Sequence, residues 1–150
     1  PMELIEKIKA SATFHEGMQT LRQLSFGMLD MAWHGSDPSK ITSVKDFENS
    51  AFGDTALYPD TPSTCMSTAF SHIFQGGYSA GYYSYKWAEV LDADAFAYFK
   101  KEGIFNKKVA NKFKEFVLSK GGTQDPMELY IKFRGQKPNP DALLERAGLV

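Results

Sequence analysis

The chain has 150 residues, about the size of one domain, and 43% of them are hydrophobic, enough for a packed core. A formal net charge of -1 and a pI near 6.4 give no basic footprint for nucleic acid or a membrane surface. One cysteine, Cys65, excludes an internal disulfide and a multi-cysteine zinc site and suits a reducing, cytoplasmic setting. No apolar run approaches the roughly 18 residues of a membrane span, and Pro1-Met2-Glu3 does not open a signal peptide.

Leu4, Ile5 and Ile8 make a short amphipathic stretch. Thr13-Phe14-His15-Glu16 has the pattern of a capping box, with Thr13 as cap and Glu16 three residues on. Phe14, Met18, Leu21, Leu24, Met28 and Met31 then recur at helical spacing, which predicts a long helix with that stripe inward, running to about Trp33. Gly35-Ser36-Asp37-Pro38 stops it. Ser43 with Asp46 opens a short helix carrying Val44 and Phe47, and residues 53–64 read as loop. A short apolar piece, Met66 to Phe74, breaks at Gln75-Gly76-Gly77.

A long helix is predicted over Tyr82–Lys101, with a start as early as Tyr78 also open. Asn106 caps a helix with Val109, Phe113, Phe116 and Val117 inward, ended by Gly121-Gly122. Asp125-Pro126 and Asn139-Pro140 each pair a capping side chain with proline at the first helical position, and Gly135 and Gly148 end those helices. No strand pairs are evident. The expected class is all-α, one helical domain over 1–150 with long loops.

Three histidines limit metal chemistry. His15-Glu16-Gly17-Met18-Gln19 falls one residue short of a zincin motif, because Gln19 stands where the second imidazole belongs and a neutral amide is a poor zinc ligand. His34 sits at a helix end, where an imidazolium suits the dipole. No metal ligand is therefore assigned in this chain.

The segment from Phe70 to Trp87 is richer. It contains His72, the pair Gly76-Gly77, and then Tyr78, Tyr82, Tyr83 and Tyr85. If it is helical, Tyr78, Tyr82 and Tyr85 share one face, and Tyr83 and Trp87 pack toward the core with Val90 or Leu91. Phenol hydroxyls beside a histidine and a glycine turn form a donor set suited to negative charge growing on a carbonyl oxygen. The same pattern also fits aromatic core residues with hydroxyls at the surface, the commoner arrangement.

His-x-x-x-Gly-Gly-Tyr-x-x-Gly-Tyr-Tyr-x-Tyr-x-Trp resembles the substrate-binding loop and following helix of the thimet oligopeptidase, oligopeptidase A and bacterial peptidyl-dipeptidase family of zinc peptidases. The likeness continues through Ala88 to Phe96 and returns at Leu118-Ser119-Lys120-Gly121-Gly122, at Phe133-Arg134-Gly135 and at Ala142-Leu143-Leu144. Leu21-Arg22-Gln23-Leu24 fits upstream.

The resemblance implies the carboxy-terminal part of a larger two-lobed helical zincin. Zinc in that parent enzyme lies on a His-Glu-x-x-His helix before the matched region, and this chain contains no such motif. It implies His72, Tyr78 and Tyr85 facing the scissile carbonyl, Tyr82 bordering the substrate cleft, and Gly76 and Gly77 forming a flexible turn over bound peptide. The expected partners are short peptide substrates and the amino-terminal, zinc-bearing portion of the same polypeptide. The chain alone is expected to be inactive and to expose apolar surface. Phe133-Arg134-Gly135 and Leu149-Val150 lean toward the peptidyl-dipeptidase branch. The rival reading is a stand-alone helical module that binds peptides, or supports structure, without catalysis.

Overall fold

The computed structural model describes residues 1–150, and it is helical throughout, with no strand. Its helices are α1 (Met2–Ser11), α2 (Glu16–Gly35), α3 (Val44–Phe52), α4 (Ser71–Phe74), α5 (Ser84–Glu102), α6 (Lys107–Phe113), α7 (Pro126–Arg134) and α8 (Asp141–Arg146). Short 3-10 turns occupy Pro38–Lys40, Gly53–Thr55 and Met66–Thr68, and a wide π turn, Lys114–Ser119, extends α6. The sequence suggests one domain, and the structure groups the residues into two compact units, Pro1–Trp87 and Ala88–Val150.

Several local signals act as the side-chain chemistry requires. The Ser43 hydroxyl accepts from the Asp46 amide at 3.2 Å and starts α3. Asn106 accepts from the Lys108 amide at 2.9 Å and starts α6. Asp125 accepts from the Glu128 amide at 3.0 Å, with Pro126 at the first helical position of α7. Gly135 closes α7 at φ 85, a left-handed conformation that glycine adopts without Cβ strain.

Three expectations fail. The capping box does not form: α2 starts at Glu16, and Thr13 lies in a turn whose carbonyl takes the Glu16 amide. His15 sits at φ 57, and this left-handed residue separates the Thr13 turn from the helix. Of the predicted stripe, Phe14, Leu24, Met28 and Met31 are exposed, while Met18 and Leu21 are half-buried. Phe26 and Leu29 are buried instead, with Trp33 packed beside them. They stand at i, i+3 and i+7, so α2 has two apolar faces, and packing chooses the one that meets Phe70 and Ile73. Finally, residues 78–83 form successive turns and α5 starts only at Ser84. Tyr83 and Trp87, expected in the core, are 58% and 43% exposed.

In unit Pro1–Trp87 the core is Phe26, Leu29, Phe70 and Ile73, with Phe52, Met66 and Tyr82 against it. In unit Ala88–Val150 it is Ala95, Val109, Tyr130 and Phe133, with Phe99, Phe113 and Phe116 around them. A buried polar cluster accompanies the second core. Asp94 takes a two-pronged ion pair from Arg134, at 3.0 and 3.2 Å, and the Tyr130 hydroxyl at 2.7 Å. Burial first, and the neighbouring Asp94 carboxylate second, push the Tyr130 phenol well above its ordinary range.

Candidate functional site

The tyrosine-rich loop lies wholly within Pro1–Trp87. It leaves α4 through Gln75, turns at Gly76 and Gly77, and enters α5 through a chain of tight turns. Gly76 and Gly77 have φ of 77 and 85, which favours glycine at both. Nothing lies within 4 Å of a Cβ placed on either, so backbone conformation alone calls for glycine there.

The loop brings the predicted residues together without the helix that was expected to align them. The Tyr78 and Tyr85 rings stack at 5.3 Å and 19°, and Tyr82 meets Tyr85 at 5.0 Å. His72, exposed on α4, lies 6.3 Å ring to ring from Tyr78. The Tyr85 phenol is held above its ordinary value, chiefly by its hydrogen bond with Tyr78, then by desolvation and its neighbours' charges. It therefore stays protonated across neutral pH. Tyr82 differs in kind. Its ring packs on Phe26 at 5.9 Å and Phe70 at 5.1 Å, so it ties the cluster to the core.

Two buried carboxylates shape this unit, and neither is among the residues that sequence pattern singles out. Asp30 is fully buried on α2. Its carboxylate accepts the Ala80 amide at 2.9 Å and the Tyr82 amide at 2.8 Å, and His34 Nδ1 lies 2.8 Å from it. Glu48, also buried, accepts the Met66 amide at 3.0 Å, the Ser67 amide, the Ser67 hydroxyl at 2.7 Å and Lys45 Nζ at 3.3 Å. A signal for Asp30 existed: an acid inside the apolar run Phe26 to Trp33, four residues before a histidine. Glu48 had none, since its backbone donors lie about twenty residues away across a loop.

An apolar recess of about 270 Å³ lies beside the cluster, lined by Leu24, Gly27, Met28, Met31, Tyr82 and Tyr83 among others. No three His, Cys, Asp or Glu side chains stand close enough to share a metal ion.

Peptidase family M3 matches residues 1–149. The chain belongs to that family. Oligopeptidase A of Salmonella typhimurium is 41% identical over 150 residues, covering 99% of this chain and 22% of that protein. The organellar oligopeptidase A of Arabidopsis thaliana is 39% identical over 155 residues, covering all of this chain and 20% of that protein. Dipeptidyl carboxypeptidase of Salmonella typhimurium is 34% identical over 151 residues, covering 99% and 22%. This M3 chain therefore spans about a fifth of the length of these relatives. Identity to oligopeptidase A exceeds identity to the dipeptidyl carboxypeptidase, opposite to the lean suggested by Phe133-Arg134-Gly135.

Proposed function

We propose that this chain is the carboxy-terminal part of a two-lobed helical M3 zinc peptidase and supplies the substrate-facing side of its cleft. The substrates are short peptides. Tyr78 and Tyr85 donate hydrogen bonds to the oxyanion that forms when the scissile carbonyl is attacked, and His72 stands beside them. Tyr82 borders the substrate, and Gly76 and Gly77 let the turn close over it. The observation that carries the reading is the convergence of His72, Tyr78 and Tyr85 beside a two-glycine turn. Only protonated phenols can donate, and the raised Tyr85 phenol meets that condition at neutral pH.

The residues of this chain do not fit a zinc ion, as no ligand set assembles among them. Zinc is assigned to the remainder of the polypeptide, which is also this chain's principal partner, and the chain alone is inactive. The exposed apolar face of Leu24, Met28 and Met31 suits burial by such a partner. No helix is long and apolar enough to cross a membrane, and the free thiol of Cys65 suits the cytoplasm.

The test uses the full-length peptidase that carries this segment. Tyr78→Phe and Tyr85→Phe should each lower kcat by about two to three decades, or roughly 2.7–4 kcal/mol, with little change in KM. A donor aimed at the oxyanion acts as charge develops, so its loss appears in turnover. Tyr83→Phe is the control, because its exposed ring makes no ring contact with the cluster. Full turnover in both variants, or an equal loss in the control, would sink the reading.

A further inference from the structure

We propose that Asp30 is the positioning residue of the tyrosine loop: it fixes the backbone at Ala80 and Tyr82 and thereby sets where the Tyr78 and Tyr85 hydroxyls point. The inference rests on the oxyanion-donor reading above. Its first support is the bond pattern. One carboxylate oxygen takes the Ala80 amide at 2.9 Å and the other takes the Tyr82 amide at 2.8 Å, across fifty residues of sequence. Asp30 shows no exposed surface, so the acceptor end of both part-buried bonds is shielded from water.

The second support is backbone strain in the same place. Ala80 sits at φ 54, a conformation that an alanine leaves unless something holds it. The Asp30 carboxylate holds that residue's own amide. The loop is pinned there and at Tyr82, whose ring is set into the core on Phe26 and Phe70. Tyr78 and Tyr85 flank the pinned stretch and stack on each other.

The third support is that Asp30 is itself braced. His34 Nδ1 lies 2.9 Å from the Asp30 carbonyl oxygen, which can only accept, so Nδ1 carries a proton. The same proton faces the carboxylate oxygen at 2.8 Å. A histidine one turn along α2 thus orients the acid that orients the loop. An amide in place of the carboxylate turns an NH2 group toward one of three donors, and one contact must open.

Asp30→Asn in the full-length peptidase should lower kcat at least tenfold and leave KM within about threefold. Added to an enzyme that already carries both Tyr78→Phe and Tyr85→Phe, it should cost no more than about threefold more, because the two donors it positions are already absent. Independent effects would multiply, and that result overturns the proposal, as does an Asp30→Asn enzyme with kcat within twofold of the parent. If Asp30→Asn does not accumulate folded, His34→Phe removes the brace and leaves both amide bonds. It should lower kcat at least threefold with the same non-additivity, and unchanged turnover there overturns the proposal equally.

Failure of the underlying reading looks different. If Tyr78→Phe and Tyr85→Phe retain full kcat, the phenols are not the donors. Positioning is then judged by hydrogen exchange at the Ala80 and Tyr82 amides and by the near-ultraviolet signal of the tyrosine stack. Asp30→Asn should speed exchange at those two amides at least tenfold and change the tyrosine signal, with the Leu29 amide unaffected. No change in either measurement overturns it.

Discussion

Replacing Glu48 by glutamine isolates one buried charge and gives a pH signature that a simple packing defect does not. Burial by itself would raise the Glu48 pKa. The hydrogen bonds from the Ser67 hydroxyl and amide, the Met66 amide and Lys45 outweigh it and bring the value down from 4.5 to about 2. A carboxyl whose folded value lies below its unfolded one stabilises the fold above the unfolded value, and that stability is lost as pH falls through the folded one. At about 1.4 kcal/mol per pH unit, the shift corresponds to roughly 3 kcal/mol at neutral pH. The contribution should fall below about 1 kcal/mol by pH 2. The substituted amide lacks the charge and aims an NH2 group at donors, so the Glu48→Gln variant loses this whole pH-dependent share. Urea melts of the 150-residue chain and of Glu48→Gln, run in steps from pH 7 to pH 2, measure the difference. The gap between the two should be largest at pH 7 and close between about pH 4.5 and pH 2. A gap that stays constant across that range refutes the electrostatic account of Glu48 and leaves only a packing effect.

Phe133→Ala should cost about 3–5 kcal/mol in thermal melts, since its ring shows no exposed surface and meets Tyr98, Phe113 and Tyr130. Trp87→Ala, whose ring is 43% exposed, should cost clearly less, and an equal loss would mean that Trp87 is part of a core. Asn106→Ala removes the acceptor for the Lys108 amide and should cost about 1 kcal/mol, with Asn106→Asp nearly neutral. Equal losses from both Asn106 variants would show that the cap is not what stabilises the start of α6.

The helical class and the starts of α3, α6 and α7 were legible because they depend on short-range chemistry. Ser43, Asn106 and Asp125 each satisfy an amide two or three residues ahead, a distance that sequence states directly. What was not legible depends on partners far along the chain. Helix α2 carries two apolar faces, Leu24-Met28-Met31 and Phe26-Leu29-Trp33, and periodicity ranks them equally. The choice belongs to Phe70 and Ile73, about forty residues later. Extending a helix back through Tyr83 places Trp87 inside, whereas α5 begins only at Ser84 and leaves Trp87, in its first turn, 43% exposed.

The candidate site shows the same division in sharper form. His72, Gly76, Gly77, Tyr78, Tyr82 and Tyr85 stand out by residue type and spacing, yet a shared helical face, the alignment that spacing suggests, is not the one the fold uses. Tyr78 and Tyr85 stack because the intervening backbone is folded into turns, with Ala80 left-handed and the stretch anchored from α2 and the core. A continuous helix would have placed the phenols by its own geometry and made Asp30 unnecessary. A loop has no such geometry, and on the proposed reading a buried acid fifty residues away supplies it. The two ends of the loop then differ physically. The end at Tyr82 is bonded to Asp30 and packed on Phe26 and Phe70, whereas the end at Gly76-Gly77 has open space around both glycines. Motion in this loop is therefore expected at the glycines more than at Tyr82 and Tyr85, which on the proposed reading would keep the donors fixed while the turn beside them closes over a peptide.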